Sequence, residues 1–415
     1  MYARPVTASS SVAEAACPDG PAPKSEHEGS IPAAEAALRP ARRLLVERRT
    51  VDTIERGTWD ALAARNPWAT PFSAWAFQQA WWDAYGSNAH DETLVVLDPA
   101  APGDGMVAIL PLMRRHAVEP SDAAVHTQLR HGTPADLTSI PPAATTLFVG
   151  ASYHADYATL LADPTDLPDA CRAIVGHLAG AVGDAGPTWD GIDLRRLRCG
   201  DPAADELARA FGTREIAEGW TLNVEREDVC PVAAIPEGTD FDGFLATLDK
   251  KERHEIRRKL RRAEAAGEVR LDLAPEPLAE LDQFIDLHQA RWGSDGLFPA
   301  TPGGDQSRRF VRRLFELFGP DGALHLTFLS VGGHRIAAGI HFETPDTLLY
   351  YNAGVDPEAR HLSPGVLLVA SYVQLAITRG RQRLDFLRGN EPYKYQWGAV
   401  DEPIRRLLVR RTALA

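Results

Sequence analysis

The sequence predicts an α/β protein built from two successive halves, and three observations carry that prediction. Three strands, ALHLTFLSV, RIAAGIHFE and TLLYYNAG, follow one another across GGH and Thr-Pro-Asp connections short enough for hairpins. The segment from Tyr350 to Gly398 then reads as strand, polar loop, helix and second strand, an α/β arrangement open at the strand pair flanking the loop. A looser version of the same order precedes residue 236, which is compatible with an internal duplication.

Taken in order, the first forty residues are rich in Ala, Pro, Ser and Glu and read as a disordered leader, residues 1–40. They lack the basic start and apolar core of a secretion signal. LLVERR near Arg43 opens the first half, 41–235, as a short strand, and Thr58–Arg65 reads as helix. Pro71-Phe72-Ser73 gives a turn and cap ahead of an aromatic helix carrying Trp75, Trp81, Trp82 and Tyr85, a pattern of core packing. ETLVVLD and GMVAILPLM read as strands joined by PAAPGDG, followed by a helix over Asp169–Val182 and a strand over Gly191–Leu197. GWTLNVE is a further strand, expected to end before Cys230-Pro231. The second half, 236–415, opens on the joint PEGTDFDG and a helix from Phe244 to Ala266. Helices over Glu276–Trp292 and up to Phe318 precede the three hairpin strands. The helix Gly365–Arg379 and the strands LDFLR and IRRLLVRR complete the half.

Composition narrows the function classes. A chain of 415 residues, 44% hydrophobic and 24% charged, is a globular protein long enough for two cores. The formal charge, 44 − 57 = −13, weighs against generic affinity for nucleic acid or anionic membranes. No run of 18 apolar residues offers a membrane span, and a cytoplasmic protein is the simplest expectation. Cys17, Cys171, Cys199 and Cys230 show no metal-type spacing and the histidines no H-E-x-x-H, so no metal is expected.

The loop Arg360–Gly365 carries the sharpest chemical signal. Ser363 suits a helix N-cap, Pro364 the first helical position, and Gly365 permits close approach of a ligand to the backbone. A helix start offers unpaired N–H groups and partial positive charge to a phosphate, and Arg360 adds a planar cation. Neither a Walker lysine nor a G-x-G-x-x-G fingerprint accompanies it. Upstream, KKERHEIRRKLRR sets eight Lys or Arg against two Glu between Lys250 and Arg262. Two i,i+4 pairs, Asp249–Arg253 and Glu255–Lys259, leave Arg257, Arg258, Arg261 and Arg262 without obvious partners. A solvated face and a polyanion site both fit that surplus.

The ordered segments PFSAWAFQQAWW, VAILPL, Asp156-Tyr157, CPVAAIP, KKERHEIRRKLRR, HLSPGVLL and DFLRGNEPYKYQWG resemble the CelD/BcsL-type acetyltransferases of the FemAB-like branch of the GNAT acyltransferases. The resemblance runs from about Arg43 to Arg411. It implies two GNAT-like halves, each a mixed, mainly antiparallel sheet flanked by helices, with the donor bound by the second. It also implies acetyl-CoA or another acyl-CoA as co-substrate and an amine-bearing acceptor, a small molecule or an envelope or exopolysaccharide precursor. In place of the family's phosphate loop, Q/R-x-x-G-x-G/A, this chain has Arg360-His361-Leu362-Ser363-Pro364-Gly365, with Ser363 replacing the first glycine. The resemblance further puts Tyr393, after LDFLR, where such enzymes place a tyrosine acid for the leaving thiolate.

Other candidate roles come from the residues themselves. Acyl transfer to an amine needs a proton acceptor, a donor for the oxyanion and a proton for the thiolate. Glu391 is the best placed base on the exit loop, or a partner of Lys394 or Arg388. Asn390 reaches toward the donor's pantetheine or stabilises the turn. Lys394 and Trp397 contact acceptor or hold the loop, and Asp385 reads as an anchor. His288, Arg291 and Trp292, one helical turn, can line an acceptor pocket or pack. Two alternatives to an acyl-CoA-dependent N-acyltransferase remain open. One is a FemAB-like transferase using aminoacyl-tRNA; the other is a non-catalytic binding protein for polysaccharide synthesis.

Overall fold

The computed structural model describes residues 42–116, 119, 122, 137–180, 182–183, 186–319 and 322–412; the expected leader lies outside them. Through residue 234 the elements are β1 (Leu45–Arg48), α1 (Arg56–Arg65), α2 (Trp75–Tyr85), β2 (His90–Asp91), β3 (Leu94–Leu97), β4 (Met106–Leu110), β5 (Leu112–Arg115), β6 (Thr146–Val149), β7 (Leu161–Ala162), α3 (Leu167–Ala179), β8 (Val182–Gly183), β9 (Gly186–Pro187), β10 (Gly191–Arg198), α4 (Pro202–Gly212), α5 (Glu215–Glu218) and β11 (Trp220–Ala234). Then follow α6 (Phe241–Thr247), α7 (Lys250–Ala266), β12 (Val269–Leu273), α8 (Pro277–Trp292), α9 (Pro302–Phe318), β13 (Leu324–Val331), β14 (His334–Glu343), β15 (Thr347–Val355), α10 (Pro364–Thr378), β16 (Arg383–Asp385), α11 (Pro392–Tyr395) and β17 (Val400–Arg411).

One sheet of eleven strands runs through both halves in the order β12-β13-β14-β15-β16-β11-β17-β10-β6-β5-β2. Its two parallel contacts, β6 with β10 and β15 with β16, are each bridged by a helix, α3 and α10; the remaining contacts are antiparallel. The halves exchange their last strands. β11 pairs with β16 of the second half, and β17 inserts between β11 and β10 of the first. The α/β prediction therefore stands, as a mixed, mainly antiparallel sheet flanked by helices, and the two halves share one continuous hydrogen-bonded ladder.

Several expected elements are divided or extended, each for a local reason. GMVAILPLM is two strands, because Pro111 has no N–H for a ladder and turns the chain from a four-stranded sheet (β1-β3-β4-β7) into the large one. Leu248 adopts extended backbone (ψ 158°), so the helix expected from Phe244 breaks into α6 and α7. Asp249 becomes the residue before α7 and accepts from Arg253 through its backbone carbonyl, so the anticipated Asp249–Arg253 side-chain pair is not formed. GWTLNVE does not stop before Cys230-Pro231. β11 continues through Pro231 to Ala234, where the Pro231 carbonyl still accepts from Phe386 N–H. The strand expected over LDFLR stops at Asp385, because Leu387 turns left-handed at φ 57°.

Four apolar cores support this frame, one of them between α1 and the four-stranded sheet. Of the others, one surrounds α3 and α4, another lies beneath α10, and an aromatic one joins the halves. In the last, Phe72, Phe77, Trp81 and Tyr85 from the first half pack with Phe310 and Phe342 from the second, so the aromatic run is core as expected.

Candidate active site

The site forms where β15 and β16 separate. Their parallel pairing lasts three registers, Thr347↔Arg383, Leu348↔Leu384 and Leu349↔Asp385. Beyond it, β15 bulges at Tyr351, since Ile340 faces Asn352 while His341 faces Tyr350. On the other side, Leu387 and Gly389 (φ 111°) swing the chain away from the sheet. Residues Tyr350–Val355 thus have β14 on one edge and an open wedge on the other, at the carboxyl ends of two parallel strands, where α/β sheets bind ligands.

The head of α10 closes the floor of this region. Pro364 occupies its first turn as expected, and the N–H groups of Val366 and Leu367 bond back to the Ser363 carbonyl. Ser363 departs from expectation. Its backbone is left-handed (φ 61°, ψ 55°), so its hydroxyl does not cap the helix and instead accepts from Arg262 Nη2 at 2.7 Å. A Cβ on Gly365 would meet nothing within 4 Å, so this glycine faces open space beside the helix head. The basic helix α7 therefore lies against the phosphate-type loop, a juxtaposition that the sequence alone left as two separate features. Arg257 pairs with Asp242 at 2.8 Å, Arg258 with Glu255 at 2.7 Å and Lys259 with Glu255 at 3.4 Å. Among the described residues, Arg261 and Arg360 have no carboxylate partner.

The exit loop is held from inside. Lys394 is buried, and its ammonium donates to the carbonyls of Leu387, Arg388 and Gly389 at 3.0, 3.0 and 2.9 Å. It also pairs with Glu391 Oε2 at 2.9 Å. Trp397 is buried as well. Lys394 thus ties the loop together, and Trp397 packs into the core beneath α10. Glu391 stands exposed at the start of α11, and Asn390 is exposed beside it. Asp385 is the expected anchor: one oxygen accepts from Leu387 N–H and the other from the Tyr157 hydroxyl, both at 2.8 Å. Burial pushes its carboxyl up to about 6, against the opposing pull of the Tyr157 hydrogen bond.

Tyr393 lies partly exposed at the wedge, edge-on to Phe386, which is itself edge-on to Tyr350. Desolvation, then the nearby Glu391 charge, push the Tyr393 hydroxyl up to about 12, so it stays protonated at neutral pH. α8 crosses β15 so closely that a Cβ on Gly354 would clash with the backbone nitrogen of His288. His288 is buried against Phe298 and its imidazole is lowered to about 4 by desolvation, the packed alternative of the two read from sequence. Arg291 and Trp292 are exposed at the end of the same helix.

The described residues contain one cluster of metal-ligating type, His325, His341 and Glu343, with His341 on β14 paired opposite Tyr350. Its carboxylate is shared with Arg381 at 3.0 Å and Arg379 at 3.4 Å.

The first half repeats the strand–helix–strand unit without the opening. β6 and β10 also pair over three registers, and Arg196 is left-handed (φ 65°) as Leu387 is. Here Ala158 bridges to Leu197 and its N–H bonds the Arg196 carbonyl at 2.9 Å, which fills the wedge with the chain's own backbone. Asp166, before α3, is ion-paired with Arg42.

Residues 250–395, which include the wedge and its basic helix, match the family described as acetyltransferase (GNAT) domain. Among solved structures, the chain is similar to FemX, with a TM-score of 0.53, 10% identity and coverage of 85% of this chain and 96% of that one. A conserved protein of unknown function from Bacteroides thetaiotaomicron VPI-5482 gives a TM-score of 0.51, 11% identity and coverage of 89% and 100%. A tandem GNAT protein from the clavulanic acid biosynthesis pathway gives 0.41, 12%, 89% and 99%. No curated protein sequence matches the chain. The chain thus carries a GNAT-type acyltransferase domain and is an enzyme of the transferase class.

Proposed function

We propose that the chain is an N-acyltransferase that moves an acyl group, acetyl in the simplest case, from acyl-CoA to an amine-bearing small molecule or envelope-polymer precursor. The observation that carries this reading is the opening of β15 from β16 directly beside a helix head lined by Arg262, Ser363 and the unpaired Arg360. A pyrophosphate suits that helix head through the partial positive charge of its first turn and the nearby guanidiniums. An extended pantetheine arm suits the free edge of Tyr350–Val355, with Asn390 at its border. Domain roles follow: the segment 236–415 binds donor, and 41–235 supplies β11 and the packing that supports it.

The chemistry asked of the residues is modest. The acceptor nitrogen attacks the thioester carbonyl, a C–N bond forms, the C–S bond breaks, and the thiolate takes a proton from Tyr393. Glu391, through a water, takes the proton the amine loses. Holding both reactants in the wedge supplies most of the acceleration. Arg291 and Trp292, on the turn of α8 that follows the packed His288, border the acceptor's side.

A second reading has one observation in its favour. Arg261, Lys250 and Lys251 lie on α7 without carboxylate partners among the described residues, and a longer polyanionic donor such as aminoacyl-tRNA would use them. Thermal unfolding with and without acetyl-CoA tests the two readings. A ligand at about one hundred times its Kd stabilises by roughly 2.7 kcal/mol. That shift, lost in Arg360→Ala, supports the acyl-CoA donor. Absence of any shift with acetyl-CoA or longer acyl-CoAs, alongside RNA binding that falls steeply with salt, would favour the second.

A further inference from the structure

Resting on the acyltransferase reading above, we infer that the acceptor amine carries an anionic group, a carboxylate or a phosphate, and that Arg291 binds it with Trp292 as the adjoining platform. Three aromatic side chains are exposed among the described residues, Trp292, Tyr393 and Tyr395, and they lie on α8's last turn and on α11, the two elements at the wedge. The Arg291 guanidinium stands 4.6 Å from the centre of the Trp292 ring and makes no ion pair with any described carboxylate. It is near enough to Tyr350 and Tyr393 for its charge to favour ionisation of both hydroxyls, against the larger opposing effect of burial. Tyr393 is the exposed one of the two, so Arg291 lies beside the group proposed to protonate the leaving thiolate.

A cation at this point is conspicuous because the chain as a whole is acidic, at −13. Its long-range field repels an anionic acceptor, so selection for one has to come from a local, directional contact. An arginine held over an indole face keeps N–H groups free for the paired oxygens of a carboxylate or phosphate. The stacked ring also limits the rotamer freedom lost on binding. A simple helix-end role for the cation is the competing account. Lysine would serve that role as well as arginine, whereas it cannot reproduce the fork.

The test compares acceptors with and without an anionic group: glucosamine 6-phosphate against glucosamine, and phenylalanine against phenylalaninamide, each pair compared at equal free-amine concentration, with acetyl-CoA as donor and thiol release as readout. The expected result is a kcat/KM at least roughly tenfold higher for one anionic member over its neutral partner. That ratio falls to about one in Arg291→Ala and is only partly restored in Arg291→Lys. Equal rates for both members of each pair, or a ratio unchanged in Arg291→Ala, overturn the proposal. If no pair is acetylated, quenching of Trp292 fluorescence, taken as the difference from Trp292→Phe, reads binding directly. Quenching by the anionic member alone supports the inference, and equal or absent quenching overturns it. The acetyl-CoA thermal shift is recorded separately, so loss of the donor reading and loss of the acceptor inference give different patterns.

Discussion

The hydroxyl of Tyr157 donates a 2.8 Å hydrogen bond to Asp385, across 228 positions of sequence. The same carboxylate accepts from Leu387 N–H, the left-handed residue that turns β16 away from β15. Asp385 therefore joins the first half to the bend that opens the wedge. Arg198 covers the Tyr157 ring at 5.0 Å and so helps to fix this latch.

Because burial raises the folded-state pKa of Asp385 to about 6, well above the ordinary aspartate value, its charged form is disfavoured in the native protein. The stabilising contribution is thus fully present below about pH 4 and is lost as pH rises through about 6. Asp385→Asn should remove that pH dependence and flatten the stability profile between those limits by on the order of 2–3 kcal/mol. Denaturant titrations at pH 4 to 8 measure it directly. Tyr157→Phe takes away a donor that favours the carboxylate, so it should steepen the same profile and cost about 1–3 kcal/mol at neutral pH. A profile identical in both variants would remove the latch from the account.

Lys394 should be the least replaceable side chain on the exit loop. Its ammonium satisfies three carbonyls and one carboxylate while almost wholly buried. Lys394→Met leaves those carbonyls without a donor, each at a cost of about 1–3 kcal/mol. Chemical denaturation is expected to show at least about 3 kcal/mol lost, with activity falling in parallel because the loop carries Asn390, Glu391 and Tyr393. Activity lost at full stability would instead make Lys394 a participant in the reaction.

These relationships show which parts of the fold were legible in the sequence. The hairpins and the strand–loop–helix–strand unit were, since period, turns and capping signals all lie within a few residues of one another. Local grammar also singled out Arg360–Gly365, the loop proposed to bind the donor's phosphates. It did not foresee that Ser363 would be left-handed, because that φ is imposed by the tight 3-10 turn over Glu358–Leu362 packing against α7. The partner of Arg262 was likewise invisible at a separation of 101 residues. The exchange of β11 and β17 had no signal in either strand, since both read as ordinary alternating segments. Pro231 suggested an end to β11, whereas the proline is tolerated because its carbonyl, which needs no N–H, supplies the bond to Phe386.

Ser363 offers a stability test of the loop. A left-handed serine is strained by about 1 kcal/mol or more, and glycine relieves it at some cost in unfolded-chain entropy. Ser363→Gly should leave the melting temperature unchanged or raise it slightly, by up to about 1 kcal/mol of stability. Ser363→Val, branched at Cβ, should lower stability by about 1–3 kcal/mol. Differential scanning calorimetry distinguishes the two directions, and a glycine variant less stable than valine would contradict the left-handed assignment.

Tyr393 should act through the leaving group. With its hydroxyl pushed up to about 12, it stays protonated throughout the range from pH 6 to 10, so no alkaline fall in kcat should arise from it there. Tyr393→Phe should lower kcat by about 10²-fold, within the range of general acid catalysis, while the KM for acetyl-CoA changes little. A donor whose leaving thiol is already acidic, such as an acyl thiophenol ester, should recover much of the loss, since its thiolate needs no proton. Equal losses with both donors would move the tyrosine from proton donor to packing.

One donor should bind per chain. The wedge of the first half is bridged by Ala158, whose N–H occupies the Arg196 carbonyl, and the carboxylate of Asp166 stands at the head of α3. At that helix start the guanidinium of Arg42 is already held by Asp166 and Asp98, whereas Arg262 and Arg360 beside α10 have no carboxylate partner among the described residues, so the first-half position offers a phosphate less charge to pair with. Isothermal titration with acetyl-CoA is expected to give a stoichiometry near one, and Arg262→Ala should weaken that single site by roughly tenfold, the worth of one charge-assisted contact. Two sites of comparable affinity would mean that the segment around Ala158 moves aside. In that case the internal repeat would be a working duplication rather than a scaffold for its second copy.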